Sequence, residues 1–161
     1  MNKKKIKIAI VIMIMIVFVF GLLLYAQIPS DEFKAAKDEI AMHIQLDTKE
    51  DVGLIVFDYT VDGHEYSGGI ANADKSLVRH DSKETQVWNK QELNSSSDSI
   101  DISIQFRIIT EYAEPNFENI YPEHLTKKID VPISWIAQFG KEYFITITGD
   151  NQSGYTAELN K

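Results

Sequence analysis

Cysteine is absent from all 161 residues. That absence excludes disulfide bonds, thiol nucleophiles, cysteine-ligated zinc and lipid attachment through a cysteine. Stability must therefore come from a packed core alone. Histidine is scarce: the four, His43, His64, His80 and His124, never fall four apart, and no HExxH occurs. The spacing of a helix-borne zinc site is thus missing. No GxSxG, SxxK, P-loop or GxGxxG is present either, which removes the usual sequence marks of acyl transfer and nucleotide binding. The residues imply no cofactor and no metal.

Positive charge is the next shortage. All 24 acidic residues lie beyond residue 30, where they face 12 of the 16 basic ones, a formal charge of −12. Such a surface repels phosphate backbones and anionic headgroups, so nucleic acid is excluded as a partner.

What is present begins with a greasy run. Lys3, Lys4, Lys5 and Lys7 are followed by nineteen residues, 8–26, without a charge, thirteen of them Ile, Val, Leu or Phe. At ~1.5 Å per helical residue they reach about 28 Å, close to the hydrocarbon thickness of a bilayer. Residues 1–27 therefore read as a cytoplasmic lysine-rich tip and a transmembrane signal-anchor, with membrane contact through residues 8–26. The lysines before the run and Asp31 and Glu32 after it place the remainder outside the cell membrane. The competing reading is a cleaved signal peptide, which would leave the protein secreted. Its apolar core is typically ~7–15 residues and ends in a small-x-small site. Here the run is longer, and the bulky Leu24 fits such a site poorly. Frequent Ile, Lys and Asn suit an AT-rich bacterial genome.

Residues 28–161 suffice for one domain, and no long Pro/Gly/Ser linker divides them. Ser30 is a good N-cap, Asp31 and Glu32 suit a first helical turn, and Phe33, Ala36 (or Lys37), Ile40 and Ile44 recur at spacings of three and four. That spacing predicts a helix over 31–45.

The period then changes to two. "VGLIVFDYTV" and "HEYSGGI" flank Asp62-Gly63, a strong hairpin signal because both turn residues need positive φ. Ile55, Phe57, Tyr59 and Val61 share one face, with Leu54, Val56, Asp58 and Thr60 on the other. In "SIDISIQFRII", Ile100, Ile102, Ile104, Phe106 and Ile108 alternate with Asp101, Ser103, Gln105 and Arg107, giving a sheet with one buried and one wet side. "VPISWIAQFG", "YFITITG" and "YTAEL" read as three consecutive antiparallel strands bent at Gly140-Lys141 and Asp150–Gly154. Shorter strands are expected at 76–80 and 85–88. The fold class that follows is mainly β (α+β): an antiparallel β-sandwich or curled sheet with one N-terminal helix, preceded by the transmembrane helix.

Motifs that could carry chemistry have plainer readings. "DNQSGYTAELNK" begins like a calcium loop, but Tyr155 takes the place of the turn glycine and Lys161 that of the bidentate glutamate. A hairpin turn is expected instead. Gly68 and Gly69 mark a bulge or a close backbone approach. Trp135 belongs to the core, whereas Trp88, after a charged stretch, is a candidate exposed ring for stacking on sugar.

The stretch 111–124 sets Tyr112, Phe117 and Tyr121 among Glu114, Glu118 and Glu123, with Pro115 and Pro122 stiffening it. Loops longer than about 12 residues are uncommon unless functional or disordered, and this one is strongly aromatic. The six aromatic and acidic residues are candidate contacts to a protein partner with a basic patch. The other reading of its aromatics is that they complete the core. The function expected is a membrane-anchored, extracytoplasmic, non-enzymatic protein-binding module, such as an accessory subunit of an envelope complex or a toxin-neutralising protein. The alternative is a small envelope hydrolase or glycan-binding domain using carboxylates and tryptophans.

Overall fold

The computed structural model describes residues 33–111 and 122–160. Nine strands follow in order: β1 Glu39–Thr48, β2 Leu54–Val61, β3 His64–Ile70, β4 Lys83–Asn89, β5 Ser99–Ile109, β6 Thr126–Lys128, β7 Ile133–Gln138, β8 Lys141–Asp150 and β9 Gly154–Asn160. Among the described residues there is no helix. The first sheet runs β4-β1-β8-β9; the second runs β3-β2-β5, with β6 and β7 sharing the far edge of β5.

The strands form where the alternation is cleanest. On β5, Ile100, Ile102, Ile104, Phe106 and Ile108 are all buried, each contributing roughly 1.5–3 kcal/mol as its apolar surface leaves water. They join Ile55, Phe57, Tyr59 and Val61 of β2, Ile40, Met42, Ile44 and Leu46 of β1, and Ile145 and Ile147 of β8 in one cluster between the sheets. Trp88 crosses that core from β4, its ring edge-on to Phe57 at 6.5 Å and 4.9 Å from Tyr59. It is buried, so it offers no surface to a sugar and corrects the expectation of an exposed ring. Trp135 is partly buried against the core, 5.6 Å from Tyr143.

The expected hairpin is present, with Asp62 at φ 49° and Gly63 at φ 85°, both in the left-handed region that matches the strand twist. Gly68 is a close approach: a Cβ there would stand 2.4 Å from Cε2 of Phe57.

Three further expectations are overturned. The helix predicted over 31–45 is replaced by β1 from Glu39 onward, preceded by an irregular lead-in; residues 31 and 32 lie outside the described residues. Ile40 and Ile44 are four apart, a spacing that suits a helix and is also twice the strand period. Met42 and Leu46 complete the alternating buried face. The second correction concerns β7, which pairs antiparallel with β5 in the second sheet, while β8 and β9 form a hairpin in the first. The tight bend at Phe139-Gly140, with Gly140 at φ 79°, moves the chain between sheets rather than folding β8 back on β7. Third, the sandwich is not wholly antiparallel: β1 and β8 run parallel, Ile40 opposite Lys141 through Thr48 opposite Gly149. Of the shorter strands, 85–88 is contained in β4, whereas 76–80 is reduced to a single bridge from Val78 to Val52. The expected transmembrane segment, residues 8–26, lies outside the described residues.

Candidate functional site

On the second sheet the alternation that buries one face leaves the other wet. Antiparallel register sets Ser67 beside Asp58 beside Gln105, and in the next row Glu65 beside Thr60 beside Ser103. These six side chains line a groove of about 570 Å³ across β3, β2 and β5. A third row, at the hairpin end, adds Asp62 and Asp101, whose backbone N–H donates to Asp62 Oδ1 at 3.0 Å.

The groove is rich in acceptors. Asp58 and Glu65 are diagonal neighbours on adjacent strands, separated by about 7–8 Å at the backbone. Arg107, one row beyond Asp58 on β5, binds the Asp58 carboxylate. Gln105 spends its amide donor on the Ile129 carbonyl, and Ser103 accepts from Ser134 at 2.8 Å. Along the face, Arg107 and Lys128 stand together in one row, while carboxylates dominate from Asp58 to the Asp62-Gly63 turn. Glu65 and Asp101 are exposed and Asp58 half-buried, so the face presents negative charge to solvent. Its field extends about one Debye length, ~8–10 Å, at ordinary salt. An open, charged groove of this kind suits a cationic surface or an extended basic segment.

Five of the six partner candidates read from the sequence, Tyr112, Glu114, Phe117, Glu118 and Tyr121, lie outside the described residues. Glu123 is exposed. The described ends of that stretch are fastened together: Thr110 N–H donates to the Leu125 carbonyl at 3.0 Å and its hydroxyl to the same oxygen at 3.3 Å. Leu125 N–H and the Thr126 hydroxyl both donate to the Pro122 carbonyl. Thr110 and Leu125, which flank the stretch 111–124, are therefore joined to each other between β5 and β6. The groove residues were visible in the sequence only as the polar half of alternating strands. Nothing in that pattern told which polar residues of different strands would be neighbours.

No protein family model matches the chain, and no curated protein matches it in sequence. Among solved structures it is similar to the membrane-binding domain of pneumolysin, at 8% identity and a TM-score of 0.40, over 76% of this chain and 96% of that one. It is also similar to a non-hemolytic pneumolysin from Streptococcus pneumoniae, at 7% identity and a TM-score of 0.38, over 76% of this chain and 23% of that one. Listeriolysin O aligns at 10% identity and a TM-score of 0.38, again over 76% of this chain and 23% of the other.

Proposed function

We propose that this chain is a membrane-anchored, extracytoplasmic recognition domain without catalytic activity, which binds a partner protein through a basic patch. The observation that supports it is the acidic groove on the outer face of the second sheet, where Glu65 and Asp101 project toward solvent on either side of the Arg107-bound Asp58. Carboxylates so placed steer a cationic partner into contact and fix its orientation. The residues 111–124, with their tyrosines, phenylalanine and glutamates, supply a second contact. Anchorage through residues 8–26 holds the domain at the membrane surface.

The test uses the full chain in detergent micelles, incubated with solubilised envelope proteins. A specific partner should be captured, and raising the salt concentration should weaken its capture. The double change Glu65→Lys and Asp101→Lys should slow association by about tenfold or more, the range over which surface charge steers encounter, with thermal unfolding unchanged. Capture insensitive to both salt and charge reversal would overturn the reading. Protection of the domain from external protease in wall-stripped cells would overturn its placement.

A further inference from the structure

On the opposite side of the sandwich, the outer face of the first sheet carries a smaller cleft of about 280 Å³. Its polar and aromatic walls are His43, Gln45, Lys83, Phe144, Thr146 and Asn160. The parallel register of β1 and β8 puts His43 beside Phe144, and the neighbouring strands extend that row to Thr85 and Asn160. The next row holds Lys83, Gln45, Thr146 and, at its β9 end, the exposed Glu158.

The aromatic ring at the centre is held in place. His43 stacks on Phe144 with ring centroids 4.7 Å apart and planes 19° from parallel. His43 is itself fixed at both ring nitrogens, Nδ1 lying 2.9 Å from Thr85 Oγ1 and Nε2 3.0 Å from Glu142 Oε2. One face of Phe144 is thus covered while the side chain remains 49% exposed. A large apolar ring left half in water on an otherwise polar sheet face is a place where a ligand gains by covering it. Around it stand acceptors for hydroxyls: the side-chain carbonyl oxygens of Asn160, whose amide nitrogen donates to Thr146 Oγ1 at 2.9 Å, and of Gln45, whose amide nitrogen donates to the Leu46 and Asp81 carbonyls.

Charge selects further. Lys83 has no ion-pair partner among the described residues. Glu142 also lies on this face, but on the far side of Phe144 from the Lys83 row, and it is engaged by His43 and by the Ala35 N–H. Lys83 lines the cleft, whereas Glu142 and Glu158, the carboxylates nearest Phe144 on β8 and β9, do not, so a ligand lying across Phe144 meets positive charge at its β4 end.

We propose that this cleft binds a saccharide carrying a carboxylate, its ring seated on Phe144 and its carboxylate held by Lys83. The polarised C–H groups of a pyranose complement the negative face of an aromatic ring, and the ammonium forms a charge-assisted hydrogen bond to the carboxylate. The site is separate from the acidic groove, which repels such a ligand.

Saturation-transfer NMR on the full chain in detergent micelles, with glucuronic acid, glucose and acetate as probes, tests this. The ring protons of glucuronic acid should saturate strongly, those of glucose weakly and acetate not at all. Phe144→Ala should weaken glucuronic acid binding by about fivefold, the worth of one aromatic contact, at unchanged thermal unfolding. Phe144→Leu, which keeps the bulk and loses the π face, should do the same and serves if the alanine variant does not fold. Lys83→Gln should bring glucuronic acid down to the level of glucose. Equal transfer to acetate, transfer indifferent to Phe144, or no transfer to either sugar would each overturn the proposal.

Discussion

Tyr155, at the start of β9, donates its phenolic hydrogen to Glu50 Oε1 at 2.8 Å, and the same oxygen accepts from the Asn151 backbone. One carboxylate in the β1–β2 connection thus fastens the turn between β8 and β9, a link across 105 residues of chain. Tyr155 is buried, so replacing it by Phe removes the bond and leaves that Glu50 oxygen with the Asn151 N–H alone. The expected cost is about 1–2 kcal/mol, read as a lower midpoint in urea denaturation with an unchanged slope.

The same tyrosine shapes the alkaline limit of stability. Burial, reinforced by the Glu50 carboxylate, pushes the Tyr155 hydroxyl well above its ordinary value. A group whose folded-state pKa is raised stabilises the fold fully below its unfolded pKa of about 10 and loses that contribution as pH climbs beyond it. Thermal midpoints followed from pH 8 upward should fall in the native chain and fall less steeply in Tyr155→Phe.

Asp150 sets the acid limit in the opposite sense. The Lys49 ammonium beside it, then the Ser153 backbone N–H, hold its carboxyl well below the usual range. The stabilisation is present above the unfolded value of about 3.9 and is lost as pH falls below it. Asp150→Asn should therefore lower stability at neutral pH and flatten the decline between about pH 4 and pH 2. Circular dichroism melts across that range give the comparison.

Gly68→Ala should be destabilising by roughly 1–3 kcal/mol, because the added methyl enters the Phe57 ring in a filled core. The conflict is steric rather than conformational. Shortening the neighbour relieves it: in a Phe57→Leu background the added cost of Gly68→Ala should shrink, as a double-mutant cycle in urea would record.

Burial of Trp88 has an optical consequence. With Trp135 changed to Phe, the remaining indole should emit at shorter wavelength than free tryptophan and resist acrylamide quenching. Emission and quenching like those of an exposed indole would contradict the core described between Tyr59 and Phe57.

The strands most legible in the sequence are those whose burial is one-sided and whose turns require special residues. Ile100 through Ile108 alternate without exception, and Asp62-Gly63 has few other uses between two such runs. β1 was hidden because apolar positions four apart satisfy two periods at once, and a good helix cap preceded them. The sheet exchange at Gly140 was hidden for a different reason. A tight bend between two strands looks the same whether the second strand returns beside the first or crosses to the opposite layer, and distant partners decide. For β7 that partner is β5, and for β8 it is β1.

The candidate sites follow the same division. Asp58, Thr60, Ser103 and Gln105 were recognisable as the wet halves of β2 and β5, but their assembly into a groove depends on the long-range antiparallel register of those two strands. The pairing of His43 with Phe144 was beyond any local pattern, since it depends on a parallel register between strands about a hundred residues apart. Glu123 is the one member of the aromatic and acidic set that the described residues include.

The side-by-side placement of β1 and β8 bears on how the chain comes to be folded at all. One edge of β1 can be satisfied early, by β4, but the other stays open until Lys141 and its successors arrive. Made or threaded in order, the polypeptide has no complete first layer until nearly its whole length is free, and topologies of this kind form slowly. Truncation anywhere before β8 would leave a bare, apolar strand margin ready to pair with another copy.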